Sequence, residues 1–191
     1  MTSPEPALRP VTDVLVEIER HVSAQGWDQG PRLFALAQAA DLIKREPELA
    51  AAAGLMPVGQ ADSPSSSPDL NTKLVPIEQE WSPGESSLDE ALALIAWPAE
   101  VVGVALAVEQ LILPPTAESD IIGQGPKADS EIIDAANEHP DRQEVRLAVA
   151  VTRDGLRQTV VRMRAHDADL DVLIGPDLVV GLTEALSATL D

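Results

Sequence analysis

Residues 143–164 form a hairpin whose two arms admit one alignment, and this constrains the chain more than any other feature. Apolar residues alternate on both sides of Arg153-Asp154-Gly155. A two-residue Asp-Gly turn would set Leu147 against Arg162 and Val145 against Arg164. A three-residue turn with Gly155 in the left-handed conformation sets Val149 opposite Thr159, Leu147 opposite Val161 and Val145 opposite Met163. Only the second keeps one face apolar, because a one-residue slip turns every side chain over. The same register opposes Arg146 to Arg162 on the other face, with Ala148, Ala150 and Arg164 alongside. Two guanidinium groups directly opposed repel, so an acid is expected between or above them.

Basic charge collects in this hairpin. Residues 142–164 hold six of the chain's 13 basic residues against Glu144 and Asp154, while the remaining residues carry 30 acids and 7 bases. The segregated charge calls for the chain's own acids, a bound anion or a partner. A net charge of −19 argues against nucleic acid, whose phosphates need a basic surface, and against anionic membranes. Solubility is the plainer meaning of the acidity.

The other elements follow from periodicity. Val11, Val14, Leu15, Ile18 and Val22 mark one face of a helix, closed by Gly26. Arg32 to Ala37 reads as a strand. A helix is expected from Ala39 to Ala53, jogged or restarted at Pro47, with Gly54 ending it. Residues 59–71, rich in Ser and Pro, read as a linker. Lys73 to Glu80 alternates as a strand, placed at an edge because Pro76 lacks a ladder donor. Ser87 and Glu90 form a capping box for a helix expected to run to about Ala96, before Trp97-Pro98. Val101 to Leu113 is the longest strand, with Val102, Val104, Leu106 and Val108 expected on one face and Gly103, Ala105, Ala107 and Glu109 on the other. Residues 116–143 make a long acidic connection, with a short helix expected between Asp129 and Glu138. The last helix is expected to open near Gly175-Pro176 and to bury Leu178, Val179, Leu182, Ala185, Leu186 and Thr189.

These segments predict an α+β fold: a mainly antiparallel sheet of about five strands packed against helices. One domain is expected over residues 1–191, with flexible inserts at 59–71 and 116–143. With one Phe and no Tyr, aliphatic residues and alanine must fill the core. The chain has no cysteine, which excludes disulfides, thiol catalysis and cysteine-ligated metals. No signal peptide is expected from the first residues. Val101 to Leu113 is too short to span a bilayer as a helix. A cytoplasmic location follows as the expectation.

Five blocks carry a resemblance: Gly26-Trp-Asp-Gln-Gly-Pro-Arg-Leu-Phe-Ala-Leu36, Ile95-Ala-Trp-Pro-Ala-Glu-Val101, His139-Pro-Asp-Arg-Gln-Glu-Val-Arg146, Arg153-Asp-Gly155 and Gly175-Pro-Asp-Leu178. They resemble a family of uncharacterised actinobacterial proteins. The resemblance implies a cytosolic bacterial protein and brings no activity and no functional residue with it.

Among candidate sites, Arg146, Arg162 and Arg164, with Arg142 as a further candidate, offer planar forks for a carboxylate or phosphate. The plainer reading, and the preferred one, is neutralisation by Glu109, Glu144 or an acidic helix. Trp27 and Arg32 flank the Gly26–Pro31 loop and suit a planar anionic ligand; against this stand core packing for Trp27 and an Asp28 partner for Arg32. Trp97 is assigned to helix-end packing. Glu17 and His21 share a helix face, which suits a local contact and falls short of the three or four ligands of a zinc site. His139 belongs to a turn. His166-Asp167 lacks a nucleophile elbow. Asp167, Asp169 and Asp171 begin like a calcium loop, but Val172 and Leu178 stand where its glycine and glutamate belong. No phosphate-binding or dinucleotide motif is present. No cofactor and no metal are expected.

The leading functional reading is a non-enzymatic module that binds a protein partner or a second copy of itself. The alternative is a binder of a small anionic ligand, or an enzyme acting on one, through the arginine face. Nucleic-acid binding ranks last.

Overall fold

The computed structural model describes residues 8–55, 68–84, 86–113, 138–168, 171–176 and 178–190. Six strands form one antiparallel sheet: β1 (Arg32–Gln38), β2 (Leu74–Glu78), β3 (Gly103–Ile112), β4 (Gln143–Thr152), β5 (Arg157–Met163) and β6 (Val172–Gly175). Their spatial order is β2-β1-β3-β4-β5-β6. The helices are α1 (Arg9–Ser23), α2 (Ala39–Arg45), α3 (Pro47–Ala52), α4 (Pro68–Thr72), α5 (Leu88–Leu92) and α6 (Val180–Ala188). The fold is α+β, with one more strand than the sequence suggests.

Alternation decides what each face of the sheet receives. On one face, Ala105, Ala107, Ala148 and Ala150 form a low floor, and α1 presses Val11, Val14, Leu15, Ile18 and Val22 onto it. Small side chains there let the helix backbone approach the sheet closely. On the other face, Val104, Leu106, Val145, Leu147, Val149 and Val151 pack against Leu92 of α5 and Leu182, Leu186 and Leu190 from α6 and its end. A third cluster, Ala39, Leu42, Ala50 and Val75, sits beneath α2 and α3. Each fully buried Val or Leu contributes about 1.5–3 kcal/mol relative to exposure.

The hairpin has the expected register: Val149 faces Thr159, Leu147 faces Val161, Val145 faces Met163 and Arg146 faces Arg162. Gly155 holds φ 85°, so its left-handed turn closes the loop. Gly103, at the start of β3, serves a different need. A Cβ there would lie 2.7 Å from the Val151 carbonyl oxygen, so the strand can come this close only without a side chain.

Several expectations are corrected. The helix after the capping box stops at Leu92, four residues early; the Ser87–Glu90 box itself is present, with Glu90 N to Ser87 Oγ at 3.3 Å and Ser87 N to Glu90 Oε2 at 3.1 Å. The restart expected at Pro47 is present: the segment from Ala39 breaks at Glu46 into α2 and α3, with Pro47 starting the second. The linker read over residues 59–71 overlaps α4, whose Leu70 packs on the third cluster. Residues 172–175 form β6, a strand not expected from the sequence, because pairing with β5 supplies what the local sequence does not advertise. The last helix therefore starts at Val180, and Leu178, assigned to its buried stripe, is 54% exposed. The short helix expected before Glu138 lies outside the described residues.

Candidate functional site: a buried arginine pair under a tryptophan clamp

The apolar floor beneath α1 ends in charge. Across three neighbouring strands, Glu109 of β3 faces Arg146 of β4, which faces Arg162 of β5. Both arginines are only 1% exposed. The acid demanded between them comes from α1. Glu19, also 1% exposed, accepts two bonds from Arg162, Nε to Oε1 at 2.5 Å and Nη2 to Oε2 at 2.7 Å. Glu19 Oε1 also lies 3.9 Å from Arg146 Nη1. A bidentate pair of this kind holds both groups in a fixed plane.

Arg146 donates to Glu109 Oε1 at 2.8 Å and to the Gly26 carbonyl. The other oxygen of Glu109 accepts the main-chain N–H groups of Asp28 and Gln29 at 2.7 and 3.2 Å. Arg162 donates further to the Ala168 carbonyl at 2.8 Å, and its Nη1 stands 3.6 Å from Asp167. Nε and Nη1 of Arg146 meet no hydrogen-bond acceptor among the described residues.

The Gly26–Gln29 loop closes over this row. The Trp27 ring lies 4.4 Å from the Arg146 guanidinium and 5.6 Å from that of Arg164, a cation–π arrangement. Its indole N–H donates to Asp167 at 2.9 Å. Asp28, with φ 66°, grips Arg164 through both oxygens at 2.9 Å. Arg164 also donates to Glu144 at 2.5 Å. The bond from Arg164 holds the Asp28 carboxyl below its ordinary range, while Asp28 and then Glu144 raise the Arg164 guanidinium above its own.

Of the five residues singled out from sequence, four gather here: Arg146, Arg162, Arg164 and Trp27. Arg32 does not. It pairs with Glu78 of the edge strand at 2.6 and 2.7 Å and not with Asp28, and this contact pulls the Glu78 carboxyl below its usual range. His21 turns to the same pair, 3.4 Å from Glu78 and 3.2 Å from Arg32, and leaves Glu17 aside. Trp27 rests on cations, not on the apolar core. Trp97 does close a helix end, donating to Thr189 at 3.0 Å, and His139 does sit in a turn, accepting from Asp141 N at 3.1 Å.

The gathered arginines do not converge on one hollow. Arg162 borders a hollow of about 330 Å³ with Arg20, Ser23, Ala24 and Asp167. Arg164 borders a separate one of about 320 Å³ with Arg142, Glu144 and His166. A cleft of about 480 Å³ lies at the other end of α1, beside Pro10, Val11, Leu74, Val102 and Leu156, and none of the five residues lines it. Among the described residues no group of three or more His, Cys, Asp or Glu could hold a metal ion, and no helix is long and apolar enough to cross a membrane.

Sequence reading missed Glu19 and Arg153. Glu19 carried a signal, since it lies four residues after Leu15 and three before Val22, on the buried stripe of α1. Arg153 looked like a turn residue. Its guanidinium instead donates to the carbonyls of Val101, Trp97, Pro98 and Leu190, tying the hairpin turn to the end of the chain's last helix.

Residues 11–191 match the family described as PPA1309-like protein. The chain belongs to that family. The match includes all but the first two residues of α1, with Glu19, the tryptophan loop and the whole arginine row. No curated protein and no solved structure matched the chain.

Proposed function

We propose that this member of the PPA1309-like family is a non-enzymatic interaction module that docks another protein chain along the β6 edge of its sheet. One observation carries the reading. β6 ends the sheet, yet Leu173 and Ile174 are 55% and 47% exposed, and Leu178 and Val180 beside it are equally open. Edge strands invite pairing, and proteins ordinarily blunt them with charge, proline or a bulge. Exposed apolar residues grouped at an edge mark an interaction surface.

The arginine face supports this by what it does internally. Arg146 and Arg162 are already matched by Glu109 and Glu19, so a small anion would have to displace a half-buried and a fully buried carboxylate to reach them. The ligand-binding alternative rests on the same side chains and is therefore ranked second. A bacterial cytosolic setting, of actinobacterial type, accords with the sequence blocks and with a chain of 191 residues that contains no cysteine.

The test is site-specific photo-crosslinking in cells. A photoreactive residue at Leu173 should give a protein adduct, and one at Lys44, on the exposed side of α2, should give none. Absence of any adduct from Leu173 would remove the reading.

A further inference from the structure

We infer that the partner at this edge is a second copy of the chain, joined by antiparallel β6–β6 pairing about a two-fold axis at Leu173. The inference rests on the interaction reading and names its partner.

Hydrogen-bond parity shows which groups β6 offers. Arg164 N donates to Glu144 O at 2.8 Å and Thr152 N to Leu156 O at 3.0 Å. Even-numbered residues of β5 therefore bond to β4, and the odd ones turn to β6, where Val161 meets Leu173 and Thr159 meets Gly175. Val172 and Ile174 are left to direct N–H and C=O outward. The opposite edge is constructed differently. Ala39 N donates to Lys73 O and Gln79 N to Leu33 O, both at 2.9 Å, so the odd-numbered residues around β2 face β1. Pro76 then occupies the central outward position, where it has no N–H to give. One edge is blocked and the other is open among the described residues.

Symmetry restricts how β6 can pair with itself. A two-fold axis perpendicular to the sheet keeps each face on its own side, so it must pass beside a residue paired with its own copy. Centred on Ile174, the register sets Val172 against Pro176, which cannot donate. Centred on Leu173, it sets Val172 and Ile174 of each copy opposite one another as hydrogen-bonded pairs with every donor present. Leu173 then meets its copy as the closer, non-hydrogen-bonded pair, and Asp171 falls opposite Gly175, so no like charges are opposed. The side chain of Leu178 lies over Gly175, 3.0 Å from where a Cβ would stand, on the same face as Leu173. It extends the apolar contact beyond the four residues of the strand.

The chain has no cysteine of its own, so a single introduced thiol gives a clean readout. In the Leu173-centred pairing the two Leu173 Cα atoms stand about 4.5 Å apart, within disulfide reach. The two Ile174 Cα atoms stand roughly 8 Å apart, beyond it. Leu173→Cys in the full chain should oxidise to a covalent dimer, and Ile174→Cys should form no covalent dimer. Sedimentation of the unmodified chain should show a dimer that tightens as salt screens the charge of −19 on each copy. Leu173→Lys should weaken that dimer at least tenfold. The reverse cysteine pattern would overturn the register. A monomer at all concentrations, or a Leu173 photo-adduct whose mass is not twice that of the chain, would overturn self-pairing; the second of these would leave the interaction reading standing.

Discussion

Removing Glu19 tests whether the buried charge row holds α1 to the sheet. Its carboxylate has no exposure of consequence and takes both forks of Arg162. Replacing it with Gln takes the bidentate carboxylate from buried Arg162, leaving the half-exposed Asp167 carboxylate 3.6 Å from its Nη1, and takes one of two nearby carboxylates from Arg146, leaving Glu109. Removing one member of a buried pair costs about 3–5 kcal/mol, a large share of the roughly 5–15 kcal/mol that stabilises a typical domain. Arg162→Met alone should cost a comparable amount, because it takes both hydrogen bonds from buried Glu19 and leaves it only the Arg146 guanidinium 3.9 Å away. The double variant Glu19→Leu with Arg162→Met should cost clearly less than the two single losses together, with a coupling of about 2–3 kcal/mol. Urea unfolding followed by far-ultraviolet circular dichroism reads all the variants, and equal slopes would show that the unfolded states are comparable. If Glu19→Gln costs under about 1 kcal/mol, or if the losses simply add, Glu19 is not the neutralising acid and the account of the arginine face fails.

Gly103→Ala should destabilise by about 1–3 kcal/mol, because its Cβ would meet the Val151 carbonyl; a loss no larger than that of Gly30→Ala, where space is open and φ is not positive, would remove the close-approach argument. Stability should fall as pH drops below about 4.5, because Arg32 holds the folded-state Glu78 carboxyl below that ordinary value. The contribution is complete above the unfolded value and is lost as pH falls through the folded one; Glu78→Gln should flatten this acid limb, and an unchanged profile would refute the pairing. Thermal unfolding against a panel of anions, nucleotides and acyl-carboxylates at low salt should stay flat. A ligand at 100 times its dissociation constant would add about 2.7 kcal/mol, and such a shift lost in Arg164→Ala would restore the ligand reading.

Wherever a residue's surroundings are set by its sequence neighbours, the chain was legible. Turn chemistry at Asp154-Gly155 and period-two alternation fixed the hairpin register, which in turn placed Arg146 opposite Arg162 and required an acid nearby. Pro76 marked an edge strand, and Ser87 with Glu90 marked a helix start. The helix after that start was overestimated because Trp97-Pro98 bounds it from beyond, while the chain leaves the helical path soon after Leu92.

Glu109 and Glu144 were legible as neutralising acids and do pair with Arg146 and Arg164, but the acid that answers Arg162 was not, because Glu19 lies 143 residues before it and only the seating of α1 on the alanine floor brings them together. The same holds for Trp27, whose sequence neighbours suggest a pocket until the loop folds over Arg146. β6 is the sharpest case. Val172-Leu-Ile-Gly175 is too short to show a period and follows an acidic run, so its strand character and its open edge come from β5 alone. Local periodicity determines which face a residue presents; what that face meets is decided by long-range packing, since hydrogen-bond and charge partners are selected by proximity in space.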